Sequence, residues 1–203
     1  MIASQAARRL GGTGVKIATV INFPKGGDNI ERALGDTKEA LRDGADEIDL
    51  VMPWRALLRG DETGPRDMIA NVADLTSAGK CLKVILETGA LPDAATVALA
   101  SRLAIESGAN FIKTSTGKLA VSATLEAAEI MLDAIKASGK PVGFKAAGGV
   151  KSIVDAAAYL DLADRILGLS WACPASFRFG ASALLDALLA KIDGGEARPE
   201  SGY

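Results

Sequence analysis

Two lysines stand at equivalent points of two strand–turn–helix units. FIKTSTGK (Phe111–Lys118) and GFKAAGG (Gly143–Gly149) each carry one, Lys113 and Lys145, near the end of an apolar run. A Gly-bearing turn and a helical pattern follow each. Burying an ammonium is expensive, so the matched pair points to amine chemistry. The simplest such chemistry is a Schiff base with a carbonyl substrate. Two ammonium groups facing one cavity repel, and one then loses its proton more easily. A neutral amine is the form that attacks an aldehyde. Periodicity leaves open which of the two attacks. Taken singly, a lysine at a strand end is more often solvated or ion-paired; the pairing is what argues otherwise.

Other groups fall on the same face. In DEIDLVM, Asp49 alternates with Ile48 and Leu50, and in LKVILE, Lys83 alternates with Leu82 and Val84. Asp49 reads either as a counter-ion for Lys83 or Lys113 or as a carboxylate that moves protons through a bound water, and the two roles are compatible. Thr116-Gly117-Lys118, Gly148-Gly149-Val150-Lys151 and Gly180-Ala181-Ser182 are turns at strand ends, and such turns present backbone N–H groups to anions. Tight turns need glycine for its own sake, so one GG says little; three such turns at strand C-termini suggest a phosphate site. Histidine is absent, which rules out Ser–His and Cys–His nucleophile pairs and the usual His-containing zinc sites. Acid–base work falls to Lys, Asp, Glu, Tyr or water. No Asp/Glu cluster at strand ends suggests a metal.

The elements that position these groups follow from hydrophobic period. Strands are expected at Val15–Ile21, Asp46–Met52, Leu82–Glu87, Asn110–Thr114, Val142–Lys145, Arg165–Leu169 and Phe177–Gly180. Helices are expected at Ile2–Gly11, Asn29–Asp43, Pro65–Gly79, Asp93–Ser107, Ala123–Ser138, Ser152–Leu160 and Ser182–Ile192, with Gly44, Gly79, Gly108 and Gly139 as C-terminal stops. Each strand has one apolar face for the helices, and the other face gathers Asp49, Lys83, Glu87, Lys113 and Lys145. An open doubly wound sheet wants apolar residues on both faces; a barrel can point charges inward near its mouth. The expectation is an α/β chain with a TIM (β/α)8-type barrel, incomplete, with seven strands and the first one missing. The whole of 1–203 reads as a single domain, with 193–203 as a flexible polar tail.

Bulk properties agree. The chain has 203 residues, is 49% hydrophobic and carries a net charge of −2. That supports a sizeable core, and no basic field argues for nucleic acid or an anionic membrane. There is no apolar run long enough to span a bilayer and no signal-peptide pattern. Cys81 and Cys173 are too few for a disulfide framework and read as passive core residues, as Trp54 and Trp171 read as packing. A cytoplasmic protein is expected, and a homodimer by base rate.

The segments VKIATVINFPKG, GADEIDLVMPWRALLRG, LKVILETGAL, ANFIKTSTGKLAVSAT, VGFKAAGGVKS and FRFGASALL occur in the order and spacing of the deoxyribose-phosphate aldolase family. The chain resembles that family from about Val15 to its terminal tyrosine. The resemblance implies a class I (Schiff-base) aldolase on a TIM barrel, with a lysine imine and no other cofactor or metal. It implies Lys113 as the Schiff-base residue, Lys145 as the neighbouring amine that keeps it neutral, Asp49 as proton donor and acceptor, and Lys83 as a member of the network. It assigns Gly117, Lys118, Gly148, Gly149, Gly180 and Ser182 to phosphate binding and Tyr203 to proton transfer. The family's first strand, with an aspartate and a cysteine of its site, has no counterpart here; Ala146 replaces a common proline and Ala183 a common serine. The implied activity is cleavage of 2-deoxy-D-ribose 5-phosphate, a small phosphorylated sugar. The alternative is a shortened barrel that binds sugar phosphate with little or no turnover.

Overall fold

The structure, a computed structural model, describes residues 2–194. Its centre is a parallel sheet of six strands in sequence order, β1 (Ala18–Ile21), β2 (Glu47–Val51), β3 (Cys81–Ile85), β4 (Phe111–Lys113), β5 (Gly143–Ala147) and β6 (Phe177–Gly180). Each neighbouring pair is parallel, so every crossover must run back over the outside of the sheet. The crossovers are α2 (Ile30–Arg42), α4 (Thr63–Thr76), α5 (Ala94–Glu106), α6 (Leu125–Ser138) and α7 (Ile153–Leu167). A helix α1 (Ile2–Leu10) precedes the sheet and α8 (Ser182–Ile192) follows it; a short α3 (Trp54–Leu58) sits after β2.

Local chemistry explains where the crossover helices begin. The side chains of Asn29, Asp93 and Thr124 each accept a backbone N–H from the first turn of α2, α5 and α6. Ser152 and Asp155 form a reciprocal capping box at α7, satisfying two donors that would otherwise have no partner. The apolar strand faces, Ile48, Leu50, Leu82, Val84, Ile112 and Phe144, are all fully buried. They join Met68, Leu103, Met131 and Leu132 of the helices in one core.

Two expectations need correction. The sheet has six strands among the described residues, not seven. Arg165–Leu167 form the last turn of α7, and Gly168 follows with φ 95°. The reason is period: Ala156, Tyr159, Ala163 and Ile166 are all buried, a 3.6-residue stripe that runs straight through the segment. Cys173 is exposed, not a core residue, and Cys81 is partly buried. Cys173 lies in the turn before β6, where its Sγ meets the Ser176 hydroxyl at 3.4 Å; that contact holds its thiol pKa below the ordinary value. Trp54 and Trp171 do pack against the core.

The sheet curls without closing. Among the described residues β1 pairs with β2 alone and β6 with β5 alone. A cavity of about 710 Å³ lies between these two edges, lined by Ala18 on one side and Phe177, Arg178 and Phe179 on the other, with Glu47, Lys83 and Lys145 at its back. No helix among the described residues is long and apolar enough to cross a membrane.

Candidate active site

Strand register decides which side chains meet. Asp49 is level with Lys83 on β3, and Lys113 on β4 is level with Lys145 on β5. Period-2 alternation turns all four inward. Asp49 is the hub. One of its oxygens, Oδ2, lies 2.9 Å from Lys113 Nζ and 2.8 Å from Lys145 Nζ; the other, Oδ1, lies 2.9 Å from Lys83 Nζ. Lys83 also meets Glu47 Oε2 at 2.5 Å. Glu47 Oε1 is in turn 3.7 Å from the Arg178 guanidinium. Arg178 belongs to β6 and Glu47 to β2, four strands apart in the order of the sheet, so this ion pair measures how far the sheet has curled.

Four cations share two carboxylates in this interior, and the imbalance sets the protonation states. Burial pushes the Asp49 pKa up, but Lys113, Lys145 and Lys83 overcome it and hold the carboxyl well below the usual carboxylate range. Burial pulls Lys83 down, yet Asp49 and Glu47 reverse this and keep its pKa above the ordinary lysine value. Lys113 goes the other way. Burial lowers it, Asp49 opposes, and the charges of Lys145 and then Lys83 add to the lowering. The surroundings therefore push Lys113, whose side chain is 9% exposed, toward its neutral form. Neither amine points into bulk solvent.

The three expected anion turns lie at the C-terminal ends of β4, β5 and β6. Two of them touch: a Cβ added to Gly148 would lie 3.1 Å from the Gly117 Cα and 2.7 Å from Ser122 Cβ, and Gly148 has φ 77°. Only glycine fits both the conformation and the contact. The hydroxyls of Thr114 and Ser115 both donate to the Ala147 carbonyl, at 3.1 and 2.5 Å, tying the β4 turn to the end of β5. Gly180 packs on Ala147 and leads into Ser182, the first residue of α8. The residue before it, Ala181, provides no side-chain cap, so the first N–H groups of that helix keep their capacity to bind an anion. Gly149 and Lys118 are exposed beside these turns. Tyr203 lies outside the described residues.

Sequence reasoning did not single out Glu47 or Arg178 as members of the network. A signal existed for both. Glu47 shares the inward face of DEIDLVM with Asp49, and in FRFG Arg178 alternates with Phe177 and Phe179. Among the described residues no group of three potential His, Cys, Asp or Glu ligands is placed to hold a metal ion.

The sequence profile described as DeoC/LacD family aldolase matches residues 1–190. The chain is 54% identical over 190 residues to the deoxyribose-phosphate aldolase of Agrobacterium fabrum, covering 93% of this chain and 73% of that protein. The structure of the deoxyribose phosphate aldolase from Aeropyrum pernix, described as a unique tetramer, superposes with a TM-score of 0.76 at 26% identity, over 94% of this chain and 74% of that one. A solved Coccidioides immitis chain gives a TM-score of 0.79 at 29% identity, over 89% of this chain and 66% of that one.

Proposed function

The chain belongs to the DeoC/LacD family of aldolases, and on that premise we propose that it cleaves 2-deoxy-D-ribose 5-phosphate reversibly to D-glyceraldehyde 3-phosphate and acetaldehyde. The observation that carries the proposal is one carboxylate oxygen flanked by two lysine nitrogens in a buried interior. One amine of such a pair is readily neutral while its neighbour stays available as an acid.

In the cleavage direction neutral Lys113 adds to the open-chain aldehyde carbon. Loss of water gives a protonated imine, which withdraws electrons from the bond to be broken. Asp49, through a water, takes the proton of the C3 hydroxyl. The C2–C3 bond breaks, its electron pair enters the imine, and D-glyceraldehyde 3-phosphate leaves an enamine on Lys113. Protonation at carbon by the Lys145 ammonium or by Tyr203, followed by hydrolysis, releases acetaldehyde and restores the amine. The imine is the electron sink, so the sequence of steps calls for no metal. Lys83, pinned by Glu47 and Asp49, fixes the Asp49 carboxylate. The turns of Gly117–Lys118, Gly148–Gly149 and Gly180–Ser182 would receive the phosphate. This reading implies carbohydrate and deoxyribonucleotide catabolism in the cytoplasm as the setting, and a homodimer as the assembly.

Borohydride reduction in the presence of acetaldehyde tests it. The expected product carries the reduced two-carbon adduct on Lys113, found by peptide mass mapping. No adduct, or an adduct on Lys145 instead, refutes the assignment. Among the described residues the outer edges of β1 and β6 have no partner strand, which favours a second reading, in which the chain binds sugar phosphate without turning it over. Measurable substrate binding with no cleavage and no adduct would establish that reading.

Two further outcomes follow. Because Lys113 has a lowered pKa, its neutral fraction rises through a pH range below 10.5, the ordinary lysine value. We expect kcat/KM to climb through that range. Lys145→Met removes the charge that helps depress Lys113, so the ascending limb of its pH profile should move to higher pH; an unmoved limb contradicts the coupling. Gly148→Ala places a methyl group against Gly117 and Ser122 and should raise KM for the phosphorylated sugar by roughly tenfold, about the loss of one charge-assisted hydrogen bond. An unchanged KM would remove this turn from the phosphate site.

A further inference from the structure

Glu87 is a buried carboxylate that the mechanism above does not use. It is 1% exposed and lies two residues beyond the end of β3. Its backbone is left-handed, at φ 58° and ψ 52°, a conformation that a residue with a long side chain holds only when its surroundings impose it. Had β3 continued as an extended strand, position 87 would have pointed inward beside Lys83 and Ile85. A third carboxylate among the lysines would favour their charged forms. The left-handed turn sends the side chain elsewhere: Glu87 Oε1 accepts the Thr116 N–H at 3.1 Å.

Thr116 opens the Gly117–Lys118 turn. The backbone on either side of Glu87 holds the run that leads there, with Leu86 N–H donating to the Lys113 carbonyl and Thr88 N–H to the Thr114 carbonyl, both at 2.9 Å. Beyond the turn the two loops are again in backbone contact, since a Cβ added to Gly89 would collide with the Val121 carbonyl oxygen. The turn is thus suspended between the loop after β3 and the end of β5, and the Glu87 carboxylate fixes the peptide plane at its start. Thr116 Oγ1 then accepts the Lys118 N–H at 3.1 Å, which passes that orientation on to Lys118.

We infer that Glu87 is a positioning residue for phosphate recognition, acting through the Thr116 amide on the Gly117–Lys118 turn and not on the reacting carbons. This inference rests on the aldolase reading above. It makes phosphate selectivity depend on a residue that contacts no substrate.

The test compares 2-deoxyribose 5-phosphate with unphosphorylated 2-deoxyribose on wild type, Glu87→Gly and Glu87→Gln. Glycine suits the left-handed backbone and removes the anchor, so strain and anchoring are separated. For Glu87→Gly we expect KM for the phosphorylated sugar to rise about tenfold or more, with kcat within about twofold and kcat/KM for unphosphorylated 2-deoxyribose also within about twofold. Inorganic phosphate should inhibit this variant correspondingly less well. Glu87→Gln, which keeps an acceptor oxygen, should recover most of the affinity. Should Glu87→Gly fail to fold, Glu87→Asp, with its carboxylate withdrawn by one methylene, should show the same selective rise in KM. Equal losses on both sugars, or no change in KM, overturn the inference. Acetaldehyde trapping keeps the two proposals apart: a trapped wild type with non-selective Glu87 variants sinks the inference alone, and an untrapped wild type sinks the aldolase reading.

Discussion

Lys113→Ala should abolish cleavage of 2-deoxyribose 5-phosphate, with kcat reduced on the order of 10⁴-fold or more, a barrier increase of about 5 kcal/mol or larger. The size of the effect comes from what is lost. Without the imine, breaking the C2–C3 bond would place its electron pair on carbon with nothing to receive it. Lys145 is level with Lys113 on the adjacent strand and shares its contact to Asp49 Oδ2. Lys113 is the amine whose pKa burial and the neighbouring ammonium groups lower, so we expect no substitution by Lys145. Lys113→Ala should also lose the borohydride-stable adduct, while Lys145→Met should keep it. Steady-state kinetics and intact-mass measurement on the same preparations check both statements. Substantial activity in Lys113→Ala would overturn the covalent mechanism. An adduct retained by Lys113→Ala would move the nucleophile to Lys145. The fold should survive the change, since deleting one ammonium from an interior with excess positive charge relieves repulsion.

How much of this arrangement is legible in the sequence differs from residue to residue. Asp49, Lys83, Lys113 and Lys145 were all legible, because period-2 alternation in short strands assigns each to a face before any contact is known. Sheet order was legible for the same reason: repeated strand–helix units of similar length force neighbouring strands to be parallel. Arg165–Leu169 misled because RILGL is a short run with three large aliphatic side chains, of a length at which strand and helix patterns cannot be told apart. The packing of Tyr159, Ala163 and Ile166 decided the matter for helix, and that comes from tertiary contact. α3 was missed because five residues hold too little pattern to register. The bond from Thr116 to Glu87 was not readable either. Glu87 counts as an inward residue by alternation, and nothing in LKVILETG marks the backbone inversion that redirects it. The pairing of Arg178 with Glu47 depends on curvature accumulated across the sheet, which no local window contains. The closeness of Gly117 to Gly148 also follows from register; the glycines themselves announced turns but not that two turns would touch.

The largest expected effect on stability lies at Asp49. Its carboxylate contacts three lysine ammonium groups and is 4% exposed. Asp49→Asn keeps the shape and removes the charge, leaving Lys83 with Glu47 and the other two amines with no counter-ion at that position. Removing one partner from a buried ion network costs about 3–5 kcal/mol, which for a chain of this size lowers Tm by on the order of 10 °C. The pH dependence has a definite sign. Asp49 has a folded-state pKa below its unfolded value, so its stabilisation is fully present above about pH 4, the ordinary aspartate range. It is lost as pH falls through the depressed folded value. The stability gap between wild type and Asp49→Asn should therefore be constant near neutral pH and narrow only in strong acid. Lys113 contributes in the opposite region: its folded pKa is lowered, so the unfolded chain binds the extra proton and stability rises with pH between that lowered value and 10.5. Asp49→Asn takes away the carboxylate that opposes this lowering, so the rise should begin at lower pH in the variant. Thermal unfolding of both proteins from acid to alkaline pH reads out each limb. A Tm gap that is absent at pH 7, or that widens in acid, would show that Asp49 is not the charge on which the buried lysines depend.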